Sequence, residues 1–127
     1  MTITGLTTSV TTTHEVAHQG AFEGELPAPI SYGQAGMLSP SSWSLTVVTR
    51  TTIRDGVTKE FTSYRLNLYG KSNHYPFNQF KADFGFPSAG RISEYDYGYG
   101  FGGFLQEAPR DILAYLSEVT KTDLLSV

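Results

Sequence analysis

The stretch WSLTVVTRTTIRDGVTKEFTSYRLNLY, residues 43–69, decides the fold. At its centre stands Asp55-Gly56, between two runs rich in β-branched and aromatic residues. A two-residue type I′ turn needs positive φ at both central positions, which Asp tolerates and Gly adopts freely. The dipeptide therefore predicts a hairpin with strands over about 43–54 and 57–69. With Arg54 opposite Val57, stepping outward places Trp43/Leu68, Leu45/Leu66, Val47/Tyr64, Thr49/Thr62, Thr51/Glu60 and Ile53/Thr58 on one face. The other face carries Ser44/Asn67, Thr46/Arg65, Val48/Ser63, Arg50/Phe61, Thr52/Lys59 and Arg54/Val57. Four cations, Arg50, Arg54, Lys59 and Arg65, thus share one side of the ribbon. A slip of one residue would carry them to the Trp43 side, where burial is costly, so the apolar pattern fixes the register.

Upstream, residues 6–18 alternate in a Thr-rich run that favours an extended strand. Gly20, Gly24, Pro27, Pro29, Gly33, Gly36 and Pro40 punctuate the connection to the hairpin, with at most one helical turn near Gln34–Leu38. Downstream, Asn73 to Gly103 is aromatic and Gly-rich, with neither period sustained and one short strand expected over Ile92–Tyr97. Pro109 suits the first turn of a helix, and Asp111 complements its positive end. Ile112, Leu113, Leu116 and Val119 recur at helical spacing, predicting a helix over about 109–122. There are no internal repeats and no heptads.

At 127 residues the expectation is a single α+β domain spanning 1–127: an antiparallel sheet of four or five strands centred on the hairpin, with the C-terminal helix on its Trp43 face. No cysteine is present, which excludes disulfides, thiolate nucleophiles and cysteine-ligated metals. No window approaches the ~18 apolar residues of a membrane helix, and the start lacks a secretory signal. The chain reads as soluble and cytoplasmic with no membrane partner, and its start at Met1 as that of a complete small reading frame. Net charge is −3, unevenly spread: residues 1–49 hold three acids and no Lys or Arg, residues 50–81 carry a net +4, and residues 82–127 a net −4. Only the middle third is suited to attract an anion.

Two catalytic motifs occur without the context that their chemistry needs. His14-Glu15-Val16-Ala17-His18 fits H-E-x-x-H, in which two His one helical turn apart hold zinc and the Glu is general base. Here it follows a Thr run and stops at Gly20, and on a strand the two His sit ~13 Å apart. His14 and His18 remain the third-ranked, metal-binding alternative. Residues 98–103 satisfy G-x-G-x-x-G, but a polar segment precedes them and the helix begins only near Pro109, so no βαβ unit fits. The pairs Glu23/Glu25 and Glu94/Asp96 and the isolated His74 suggest no acid–base pair.

What remains points to recognition. Tyr95, Tyr97, Tyr99, Phe101 and Phe104, interleaved with glycines and flanked by Tyr75 and Phe77, resemble the chemistry of a binding loop, where rigid rings supply contact area. The leading expectation is a non-enzymatic protein without cofactor that binds a protein partner through the 94–104 loop and the 73–87 segment. By analogy, it would be a small inhibitor or adaptor of a virus or mobile element. The alternative is a nucleic-acid or anion-binding module using Arg50, Arg54, Lys59 and Arg65, with Phe61 or nearby tyrosines as stacking groups.

Overall fold

The computed structural model describes residues 7–23, 30–31, 37–73, 78–88 and 99–127. Asp55 and Gly56 take φ of 49° and 80°, so the type I′ turn forms where the dipeptide requires it. Around it run β3 (Met37–Arg54) and β4 (Val57–Ser72), with every cross-strand pair from 43/68 to 54/57 in the expected register. Before them lie β1 (Ser9–Ala21) and the two-residue β2 (Ile30–Ser31); after them come β5 (Gln79–Phe86) and β6 (Tyr99–Phe104). A turn of 3-10 helix at Leu105–Glu107 leads into α1 (Arg110–Thr120). The strand order is β1-β3-β4-β5-β6, with β2 beside the start of β3. All pairings are antiparallel except β5 with β6. The fold is α+β, as the hairpin and the helical spacing imply.

Several local expectations are corrected. The helical turn near Gln34–Leu38 gives way at Met37 and Leu38 to the first residues of β3. The aromatic stretch contains strands at Gln79–Phe86 and Tyr99–Phe104, where no strand was expected. The strand expected over Ile92–Tyr97 lies outside the described residues.

One half of the sheet is covered. Leu38, Trp43, Leu45, Leu66, Leu68, Phe80, Ala82 and Phe84 form the floor, and Leu105, Ala108, Ile112, Leu113, Leu116 and Leu124 close over it. Burying each Leu or Ile side chain stabilises the fold by roughly 1.5–3 kcal/mol relative to exposure. The last turn of α1 is tied down by Ser117, whose hydroxyl donates to the Leu113 carbonyl (2.7 Å) and accepts from the Leu124 N–H (2.9 Å). That pair of bonds docks the C-terminal tail, burying Leu124. Gly70 permits the bulge at Pro40/Ser42, because a Cβ there would collide with the Ser39 carbonyl and lie 2.8 Å from the Pro40 Cα.

Past Val47 and Tyr64, which still touch the core, the same strands leave the helix behind. β1 follows them to the tip, pairing Ser9 with Arg54, and the Asp55 N–H donates to the Thr8 carbonyl at 3.3 Å. The result is a three-stranded arm about 20 Å long, with Val10, Val16, Ile53, Val57 and Phe61 exposed on its surfaces.

Candidate anion-binding groove

On the arm, the face opposite Trp43 holds three successive cross-strand levels: Arg50 with Phe61, Thr52 with Lys59, and Arg54 with Val57. The side chains of these levels stand off a twisted ribbon. Here the face forms a groove of about 510 Å³ lined by those six residues and Asp55. Each level carries one cation and one uncharged partner, and successive levels lie about 6.8 Å apart. Among the described residues, Arg50, Arg54 and Lys59 form no ion pair. β1 adds a third column, with Ser9, Thr11 and Thr13 directly across from Arg54, Thr52 and Arg50. The Thr11 and Thr52 hydroxyls approach to 3.4 Å, joining the two columns. Cations in an open concavity with hydroxyls alongside can hold phosphate or sulfate oxygens through charge-assisted hydrogen bonds.

Arg65, the fourth cation on this face, serves elsewhere. Its Nε lies 3.3 Å from Oδ1 of Asp83 on β5, a carboxylate only 4% exposed. The contact compensates charge without meeting hydrogen-bond geometry, since Asp83 Oδ1 remains unbonded. Arg65 lines a separate concavity of about 380 Å³ with Glu15, Thr46, Val48, Ser63, Tyr64, Phe86 and Ser88. The four-cation cluster read from the ribbon is therefore three cations in one groove plus one structural ion pair. Neither the β1 hydroxyl column nor Asp83 was legible, because pairing with β1 and β5 is non-local. The only local hint was that Thr11 and Thr13 alternate in step with each other.

The other candidates are dispersed. The pentapeptide at 14–18 lies within the extended β1, opposite Thr49 to Leu45 of β3. His14 and His18 thus share one face ~13 Å apart, while Glu15 is on the other face, in the concavity of Arg65. That separates the would-be base from both ligands. Among the described residues, no group of three or more His, Asp or Glu could hold a metal. Of the G-x-G-x-x-G match, Gly100, Gly102 and Gly103 lie in a strand, where no helix N-terminus can meet a pyrophosphate.

Among the aromatic residues, Tyr75, Phe77, Tyr95 and Tyr97 lie outside the described residues. Residues 99–104, expected as loop, form β6: Tyr99 is in register with Phe80, and Phe101 with Ala82. Phe104 is 47% exposed, and its N–H donates to Glu107 Oε2 at 2.6 Å. No helix among the described residues is long and apolar enough to cross a membrane. Comparison with family models, curated proteins and solved structures gave no match.

Proposed function

We propose that this chain is a binding module whose β-ribbon arm holds a polyanion in the groove of Arg50, Arg54 and Lys59. The observation that carries the reading is three cations on three consecutive levels of one concavity, without ion-pair partners among the described residues. Unpaired surface charges add little to folding, so their clustering is better accounted for by a ligand than by stability. The net charge of −3 limits long-range attraction and favours a local, modest-affinity contact. A phosphate-bearing ligand and a chain without cysteine fit a cytoplasmic protein.

The test is binding of a labelled single-stranded oligonucleotide and of linear polyphosphate across a salt series. Three phosphate contacts on a single strand give a slope of log K against log salt of about −2. Replacing Arg50, Arg54 and Lys59 together by Gln should flatten that slope and leave the melting temperature unchanged. Binding of neither probe at about 50 mM salt removes the reading.

A second reading rests on Phe104, a half-exposed ring on β6, the last strand of the sheet order. Here a protein partner packs against Phe104 and the aromatic segments read from the sequence, as an inhibitor or adaptor would. If so, Phe104→Ala abolishes capture of that partner while barely moving the melting temperature. A clear loss of stability would instead make the ring part of the protein's own packing.

A further inference from the structure

Resting on the polyanion reading, we propose that the arm's ligand is a single-stranded nucleic acid laid lengthwise along the hairpin, with its phosphates on Arg54, Lys59 and Arg50 in turn and a base on the Phe61 ring. The cation pitch supports it. Arg54 stands on β3, Lys59 on β4 and Arg50 on β3 again, one per level. The levels repeat about every 6.8 Å along the ribbon, close to the phosphate-to-phosphate distance of an extended single strand. A duplex strand spaces its phosphates similarly, so the pitch fits one sugar–phosphate backbone, and it is the exposed Phe61 ring, which needs an unpaired base to stack on it, that selects the single strand. The seat is also narrow, since its cations stand on two strands about 4.8 Å apart, room for one backbone.

The ends of the ladder are marked by opposite charge. Asp55 lines the groove at the tip. At the other end, the level of Val48 and Ser63 carries no cation, and Glu15 on β1 is its neighbour. Beyond it Arg65 is held by Asp83. A phosphate chain therefore finds favourable partners over three levels and like charge or none past them, giving a footprint of about three nucleotides. Phe61 supplies what a simple polyanion would not need: a ring 53% exposed, in the groove, at the level of Arg50. Base stacking on an exposed ring is tolerant of sequence. The hydroxyls of Ser9, Thr11 and Thr13 run alongside as neutral partners for sugar or phosphate oxygens.

Fluorescence anisotropy at low salt tests this with three labelled probes: short oligothymidylate, a duplex of the same length, and linear polyphosphate. The expected result is that oligothymidylate binds at least tenfold tighter than the duplex. Phe61→Leu should weaken oligothymidylate about tenfold, as the loss of one stacked base implies, and leave polyphosphate unchanged. Phe61→Trp should restore or improve the nucleic acid. Equal binding of single strand and duplex, or equal weakening of oligothymidylate and polyphosphate by Phe61→Leu, overturns the inference while the groove stands. Binding of polyphosphate alone does the same. Failure of all three probes instead removes the polyanion reading on which it rests.

Discussion

Leu45 and Ile53 lie on the same face of one strand, eight residues apart, yet one is sealed in the core and the other is 45% exposed. The difference runs through the whole sheet. In the covered half, alternate side chains of β3, β4 and β5 join Ile112, Leu113 and Leu116 in one buried cluster. In the arm, β1, β3 and β4 are held by their ladders and by threonines, with large apolar side chains exposed on both faces. The contrast teaches that stability and recognition are assigned to opposite ends of the same strands. An arm that contributes little to the core is free to carry cations without ion-pair partners among the described residues, and the core need not accommodate them.

Core truncation should give the largest effect. Leu66→Ala is expected to cost about 2–5 kcal/mol in denaturant unfolding, whereas Thr62→Ala, four pairs nearer the tip on the same face, should fall within about 0.5 kcal/mol. Comparable losses at the two positions would erase the division. Next comes the ion pair that borders the two halves. Arg65→Ala leaves the Asp83 carboxylate buried without compensation and should cost about 1–3 kcal/mol, against almost nothing for Arg50→Ala. If Arg50→Ala is the costlier, the groove cations are structural.

A smaller effect is expected at the turn. Gly56→Ala forces a Cβ onto a residue at φ 80° and should cost about 1 kcal/mol. Amide exchange should then speed up near the tip and stay unchanged at Leu66 and Leu68. The smallest effect concerns pH. The Asp123 carboxylate accepts from the Ser126 hydroxyl and from the N–H groups of Ser126 and Leu125, which holds its pKa below the ordinary carboxylate value. Because the folded value is the lower one, the stabilisation is present above the ordinary value of 3.8 and is lost as pH falls through the depressed one. Acidification in that window should loosen the tail around Leu124, read as faster exchange there, and an Asp123→Asn variant should lack the transition.

Legibility followed the same division of local from distant. Asp55-Gly56 set the hairpin register because turn geometry and alternation agree within a short span. Pro109, Asp111 and the spacing of Ile112 to Leu116 gave the helix for the same reason, with Pro109 as its cap. β5 was readable in principle: Phe80, Ala82, Phe84 and Phe86 alternate, but the surrounding aromatic residues and the buried Asp83 masked the period. β6 was not, since three of its six residues are Gly, which strands disfavour. It forms through parallel pairing with β5, a tertiary term outweighing local preference. For the groove, the strands' own residues were legible. Its curvature, its hydroxyl column and the diversion of Arg65 depend on neighbours distant in sequence.

The amide NMR spectrum of the labelled chain, titrated with short oligothymidylate at low salt, tests the groove most directly. The predicted result is a set of shifting amides confined to 50–61 and the facing 9–13 of β1, with Leu66, Leu68 and Ile112 to Leu116 unmoved. Shifts concentrated at 99–107, or none at all, would contradict it.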